Sequence, residues 1–213
     1  PGGAREDERV AIAINADSIA TWAMGALHDL VRQRLPLEII VDDQDFTQEW
    51  LRSGQVLGCV TTLKQALRGC KMVPLGAMNY VAVASADFAA QNLPHGLSPH
   101  NFRGVPFVSF NRKDDMAAEF VARAFGLKRV ALNHIFVPGS EAQMRAVSAG
   151  WAVGVLPELL ARSALADGTV VNLAPGHVLP IQLYWHCWNL ESAVLDALTS
   201  ALTATAKSAL EPA

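Results

Sequence analysis

Hydrophobic residues alternate along the chain between short continuous runs and helical stripes. The run at 10–14 predicts a strand, and the apolar positions that follow it, up to Leu30, repeat at helical spacing. Ser18 is the expected N-cap of this helix, because its hydroxyl can accept a hydrogen bond from the free backbone N–H groups. Two further strands, predicted at 37–43 and 56–62, enclose a short helix that Gly54 ends. This alternation is typical of an open parallel α/β sheet.

A second alternating block follows the strand predicted at 79–85. It contains strands at 105–110, 132–138 and 151–157 and helices at 116–125, 139–150 and 158–165. Gly126 stands just past the first of these helices, and Ser140 with Gln143 has the spacing of a capping box. A long strand at 179–189 and a helix from Glu191 to about Leu210 complete the pattern.

The two blocks predict two lobes that the chain crosses between twice, near 79–85 and 180–188. Residues 10–79 are assigned to lobe I, residues 80–179 to lobe II, and residues 180–213 to a crossover strand and a C-terminal helix that returns to lobe I. Residues 1–9 are interpreted as a linker or cloning remnant, so the natural protein is expected to extend upstream. Two crossings imply a hinged pair of lobes with a cleft between them.

Composition narrows the class of protein. Of 213 residues, 51% are hydrophobic and 17% charged, and the formal net charge is −3, which argues against a nucleic-acid surface on this segment. No apolar run reaches the roughly 18 residues of a membrane span, so no membrane partner is expected. Three cysteines, an odd number spread far apart in the sequence, favour a reduced, cytoplasmic location, although a processed exported protein is an alternative.

Motifs for catalysis and metal binding are missing from the sequence. There is no G-x-S-x-G elbow, no phosphate loop and no G-x-G-x-x-G after a strand, and the six histidines show no metal-ligand spacing. The chain is therefore predicted not to be an enzyme, with no cofactor and no metal.

Polar residues recur where a strand ends and a helix begins. In open α/β sheets, ligands bind outside the carboxyl ends of the strands, near helix N-termini that suit a carboxylate. Hydroxyls at these joints can add hydrogen bonds, and carboxylates there can hold an ammonium or guanidinium group. A basic amino acid would use both sets, although each residue alone is also explained as a helix cap or a first-turn acid. The predicted ligand-binding residues are Asp17, Ser18, Thr61, Thr62, Asp114, Asp115, Ser140 and Glu141.

One of these joints, "SFNRKDDMAAEF" at 109–120, packs two cations and two carboxylates between a strand and a helix. Either Asp114 or Asp115 is expected to cap the helix. The same position would place a carboxylate on the wall of the cleft, and the sequence leaves open which aspartate faces the ligand. Arg112 and Lys113 have no predicted role.

From about Val10 to about Leu202 the chain resembles the effector-binding domain of LysR-type transcriptional regulators. The segments "LRSGQVLGCVTT" and "VSAGWAVGVLPELL" carry the general resemblance. The segments "NADSIATW", "RGCKMVPLGAMNYVAVAS", "FNRKDDM" and "LYWHCWNLES" are similar to the arginine- and lysine-responsive ArgP/LysG subfamily.

The resemblance implies a fold of two Rossmann-like lobes of the type II periplasmic-binding-protein kind. It also implies a small-molecule effector in the cleft, homodimers or homotetramers, and an N-terminal winged helix-turn-helix, absent from this chain, that binds DNA. Carried over, the family's ligand contacts fall on Ser18, Thr62, Asp114 or Asp115, and Ser140. Regulated transcription of an amino-acid exporter is the implied output.

Two other functions remain open on the sequence. A solute-binding protein of an amino-acid transporter shares the two-lobed fold, and an enzyme on the same scaffold is the third reading. The residues upstream of Pro1 would discriminate, because a regulator has a helix-turn-helix there and an exported binding protein has a signal sequence.

Overall fold

The computed structural model describes residues 9–42 and 47–212. The predicted linker, apart from Arg9, lies outside the described residues, and so does the segment 43–46 at the joint between the second strand and the following helix. The chain divides into two compact units, one formed by residues 1–77 and 182–213 and the other by residues 78–181. In the part of the chain that is described, no helix combines the length and the apolar character that crossing a membrane requires.

The first unit is built on a sheet in which the first strand is central to two parallel pairings. The elements of this unit are β1 (Val10–Asn15), α1 (Ala16–Thr21), α2 (Ala23–Arg32), β2 (Leu37–Asp42), α3 (Thr47–Arg52), β3 (Gly58–Thr61) and α8 (Ala193–Ala209), with parts of β4 (Cys70–Ser85) and β9 (Leu179–Trp188). Strand β1 pairs in parallel with β2 and with β3, and β3 pairs antiparallel with the last part of β9. Helix α2 packs against α8, which buries Leu195, Leu198 and Leu202.

The second unit contains both antiparallel and parallel strand pairs. Its elements are α4 (Ala86–Asn92), a 3-10 turn (Phe102–Gly104), β5 (Pro106–Ser109), α5 (Met116–Phe125), β6 (Asn133–Phe136), α6 (Ser140–Ser148), β7 (Gly154–Pro157), α7 (Glu158–Ala166) and β8 (Val170–Asn172), with the remaining parts of β4 and β9. The last part of β4 pairs antiparallel with β7 and β8, and β5 pairs in parallel with β6. Apolar residues of its strands and helices, including Val83, Val108, Val147 and Leu156, form its core.

Two glycines have backbone conformations that the fold requires. Gly126 ends α5 in the left-handed region at φ 65°, as the sequence predicted. Gly76 lies within β4 at φ 121°, and a β-carbon there would stand 2.5 Å from the backbone oxygen of Glu211. The strand predicted at 79–85 is the second half of a longer strand that begins at Cys70. Gly76 has no β-carbon and so allows the close approach of the C-terminal segment, in which Glu211 pairs with Ala77.

The prediction that Ser18 caps the first helix is wrong. Helix α1 begins at Ala16, with Asn15 at the N-cap position, and Ser18 lies inside the helix and is buried. The helical stripe is also interrupted at Trp22, where α1 ends and α2 follows. The helix starts earlier because β1 ends at Asn15 and the chain turns at once, which a hydrophobic pattern does not report.

The predicted capping box of Ser140 and Gln143 is wrong as well. Gly139 holds the N-cap position with φ 113°, so Ser140 is already the first residue of α6. The Gln143 amide reaches back past the helix start and donates to the backbone oxygen of Val137 at 3.0 Å. It therefore ties α6 to the end of β6.

Candidate functional site

The carboxyl ends of the strands in the first unit carry a row of polar side chains. Asn15 of β1 pairs in register with Asp42 of β2, and Thr61 of β3 pairs with Tyr184 of β9. The parallel register of β1 and β3 pairs Ile12 with Gly58 and Ala13 with Cys59, and its continuation to the ends of both strands leads to Asn15 and Thr61. Residues in register lie on the same face of a sheet. The row Asp42–Asn15–Thr61–Tyr184 therefore crosses four adjacent strands on one face, and we call it the polar row.

Asn15 is the member of the polar row that stands out. It is 1% exposed, and neither its side-chain oxygen nor its side-chain nitrogen has a hydrogen-bond partner among the described residues. Leaving a buried polar group unsatisfied costs about 1–3 kcal/mol. Asn15 was not among the residues that the sequence predicted to bind the ligand. Its signal was a polar residue that ends an otherwise apolar strand.

Two other members of the polar row, Thr61 and Asp42, form hydrogen bonds with side chains of α3. The Thr61 hydroxyl lies 3.0 Å from the Gln48 side-chain oxygen and donates to it. The Asp42 carboxylate accepts from the Trp50 indole N–H at 3.2 Å. Asp42 and Tyr184 were not predicted to be site residues, because only the strand register reveals that they lie beside Asn15 and Thr61.

Ser18 and Asp17 follow the polar row in α1. The Ser18 hydroxyl accepts a hydrogen bond from the Trp22 indole N–H at 3.1 Å, which explains why this buried serine sits inside a helix. Asp17 is half-buried in the first turn, and its backbone oxygen accepts from the Thr21 hydroxyl. Thr62, also half-buried, comes one residue after β3.

In the second unit, Asp114 closes the turn between β5 and α5. One oxygen of its carboxylate accepts from the Phe110 N–H at 2.7 Å, and the other accepts from the Met116 N–H at 3.0 Å. Asp115 stands at the N-cap position itself, where its exposed side chain makes no cap bond to the described helix. Of the two aspartates that the sequence left undecided, Asp114 is thus the one that caps the helix.

Arg112, for which the sequence suggested no role, lies against an aromatic ring. Its guanidinium carbon stands 5.6 Å from the centroid of the Phe136 ring, and the His134 ring stacks on Phe136 at 5.5 Å and 10°. A hydrogen bond of 2.9 Å joins the buried Ser109 hydroxyl to Nδ1 of His134. Arg112 therefore ends a stack of flat groups along β6.

The two remaining predicted residues, Ser140 and Glu141, form the first turn of α6, where Ser140 is buried and Glu141 exposed.

The second unit also contains a polar groove, and none of the predicted binding residues is in its described lining. It is a groove of about 490 Å³ between the start of α4 and the ends of α6 and α7, lined among others by Ser85, Asp87, Gly150 and Thr169. Part of its lining comes from the joint between β4 and α4, which was not among the predicted binding joints, and the rest comes from residues at the ends of α6 and α7.

Burial shifts the pKa values of titratable groups in the first unit toward the neutral form. His186 on β9 is fully buried, and burial lowers its pKa, while one ring nitrogen lies 2.7 Å from the Leu63 backbone oxygen. The pKa of the Cys59 thiol is raised to about 12, mainly by burial and in addition by the nearby Cys70 and Cys187. The three cysteines, distant in sequence, thus lie in one region. Among the described residues no group of three potential ligands could hold a metal ion.

The chain matches a known protein family and is similar to named proteins. Residues 3–208 match the family described as the LysR substrate binding domain. The HTH-type transcriptional regulator ArgP of Aeromonas salmonicida is 40% identical over 205 residues, which are 96% of this chain and 69% of that protein.

Solved structures are similar as well. The crystal structure of ArgP from Mycobacterium tuberculosis is 35% identical with a TM-score of 0.89, over 96% of this chain and 69% of that one. Full-length LysG from Corynebacterium glutamicum with bound effector Arg is 28% identical with a TM-score of 0.85, over 97% of this chain and 70% of that one. These similarities confirm the predicted α/β fold of the type II periplasmic-binding-protein kind.

Proposed function

Because the chain belongs to the LysR substrate-binding domain family, we propose that it is a sensor domain that binds a basic amino acid, lysine or arginine. The observation that carries the proposal is its similarity to a LysG that was solved with bound effector Arg. The named relatives are transcriptional regulators, so the prediction that the chain is not an enzyme is confirmed. The same names favour a sensor over the transporter binding protein that the sequence had left open.

The chemistry of the strand ends supports a cationic ligand. Carboxylates attract ammonium and guanidinium groups through charge-assisted hydrogen bonds. Asp115 and Glu141 are exposed, and Asp17 is half-buried, at three of the joints. Asp114 has both oxygens committed to backbone N–H groups, so Asp115 is the better partner for the cation at its joint. The hydroxyls of Ser18, Thr61, Thr62 and Ser140 complete the proposed site.

The proposed output is control of DNA binding. In this proposal the domain works in the cytoplasm as part of a homodimer or homotetramer, with a winged helix-turn-helix outside this chain that binds the DNA of an exporter operator. The effector can shift the equilibrium between two states only by its difference in affinity for them. A basic amino acid that accumulates would thereby control the transcription of its own exporter.

Isothermal titration with lysine, arginine, leucine and glutamate tests the ligand class. We expect lysine or arginine to bind and the other two to bind far more weakly. Asp115→Ala should lose about 1–3 kcal/mol of binding free energy, as a charge-assisted bond does. Glu158→Ala, which removes an exposed carboxylate from the first turn of α7, is the matched control and should bind normally. Binding of glutamate or leucine in preference to both basic amino acids would refute the proposal.

A further inference from the structure

Burial of the Asn15 amide costs folding free energy, and no contact in the described fold compensates for it. Its amide is buried with both polar groups unpartnered among the described residues. Its backbone, at φ −63° and ψ 148°, is extended and suits most side chains. A leucine of similar size would avoid the burial of unsatisfied polar groups, so the asparagine lowers stability at this position. A side chain that costs stability in the free protein is typical of a binding site.

The neighbours of Asn15 indicate what kind of site this is. Asp42 and Thr61 flank it in the polar row, and their side chains already bond to Trp50 and Gln48. The amide of Asn15 thus stands between two polar side chains that α3 holds in place. Residues on regular strands and a packed helix keep such a group in a defined position.

The chemistry of a carboxamide selects the ligand group. Its oxygen accepts and its nitrogen donates, so a ligand that satisfies both atoms must offer a donor and an acceptor close together. The α-ammonium and α-carboxylate groups of an amino acid, joined through one carbon, do so. A plain amine offers only donors, and a carboxylate without the amine offers only acceptors. We propose that Asn15 binds the α-ammonium and α-carboxylate groups of the effector, an inference that rests on the proposed function.

The burial of Asn15 adds a conformational requirement. At 1% exposure the amide is not accessible to a ligand in this structure. A ligand therefore reaches it only in a conformation in which the covering residues have moved, and it stabilises that conformation by its contacts. The contact to Asn15 then belongs to the bound state alone, which is what a sensor requires of a ligand contact.

The test combines melting temperature with titration. The wild-type chain and Asn15→Leu are titrated with lysine, arginine and leucine, and with cadaverine and 6-aminohexanoate, which lack the α-carboxylate and the α-ammonium group respectively. For the wild type, we expect both truncated compounds to bind at least about tenfold more weakly than lysine. For Asn15→Leu, we expect a melting temperature without ligand about 2–4 °C higher and at least about tenfold weaker binding of lysine.

Thr203→Val is the matched control. The Thr203 hydroxyl, in α8, is also buried without a hydrogen-bond partner in the part of the chain described. Its replacement by valine should raise the melting temperature in the same way but leave lysine binding unchanged. If Asn15→Leu does not fold, Asn15→Ala replaces it, with the same expected loss of binding.

The outcomes separate this inference from the proposed function. If lysine binds the wild type and Asn15→Leu equally well, or if cadaverine binds as tightly as lysine, the role of Asn15 is refuted and the proposed function stands. If only leucine binds, and Asn15→Leu abolishes that binding, the basic effector is refuted and the role of Asn15 stands. If none of the five compounds binds the wild type, both are refuted. A lower melting temperature of Asn15→Leu with unchanged binding would make Asn15 a structural residue.

Discussion

Asp114→Ala should destabilise the second unit far more than Asp115→Ala. The Asp114 carboxylate accepts from the backbone N–H groups of Phe110 and Met116, at 2.7 and 3.0 Å, and so joins the end of β5 to the first turn of α5. Asp115 is exposed and makes no cap bond to the described helix. Alanine at 114 leaves two N–H groups without their acceptor, whereas alanine at 115 removes only a solvated side chain.

The magnitude follows from the number and type of bonds. A hydrogen bond to a charged group contributes about 1.5–3 kcal/mol, and loss of a helix cap costs about 0.5–2 kcal/mol. Asp114 is half-buried, so water can replace part of what is lost. We therefore expect the free energy of unfolding to fall by about 2–3 kcal/mol for Asp114→Ala and by less than about 0.5 kcal/mol for Asp115→Ala. Thermal unfolding should show a fall of about 4–10 °C for the first variant.

Asp114→Asn refines this test. The asparagine oxygen can keep one of the two bonds, while its NH₂ group cannot accept the other. Its melting temperature should lie between those of the wild type and Asp114→Ala. The reasoning is refuted if Asp115→Ala unfolds at a lower temperature than Asp114→Ala, or if Asp114→Asn is no more stable than the alanine variant.

Two further expectations concern the first unit. Gly58→Ala should cost about 1–3 kcal/mol in unfolding free energy, because a β-carbon there would overlap the buried Trp185 indole. Gly25 lies in α2, and no atom of the described structure is within 4 Å of a β-carbon added there. Gly25→Ala should therefore raise the free energy of unfolding by up to about 1 kcal/mol. Equal effects of the two substitutions in denaturant titration would contradict the steric argument. His186 is buried with a pKa below its ordinary 6.5, so it contributes stability above pH 6.5 that is lost as pH falls from 6.5 through the lowered pKa. Melting temperatures measured between pH 8 and 5 should show this loss, and His186→Gln should reduce the slope below pH 6.5; an unchanged slope would exclude His186 as its source.

Secondary structure was largely predictable because its signals are local. The stripes of α5 and α8 bury one face at helical spacing, whereas β1, β5 and the second half of β9 are runs of consecutive buried residues, and both patterns are visible in consecutive residues of the sequence. Helix starts were less predictable. Ser18 and Ser140 have the right chemistry for caps, yet α1 begins two residues before Ser18 and α6 begins at Ser140 itself, so neither serine holds the N-cap position.

The candidate site was predictable only in part. The sequence located the strand–helix joints, since a polar residue after an apolar run marks where a strand ends. It did not distinguish Asp114 from Asp115, because the two are adjacent and both suit a cap. The distinction depends on the path of the backbone from Phe110 to Met116, which brings two N–H groups to one carboxylate.

The α/β alternation, the family and the acidic and hydroxyl character of the joints could be predicted from the sequence alone, because each depends on residues that are near one another in the chain. The pairing of Asn15 with Asp42, and its burial without a partner among the described residues, became visible in the folded chain. Strand register joins Asn15 to Asp42, 27 positions further along the chain. Pairing over such distances depends on the packing of the whole sheet, which no local pattern specifies.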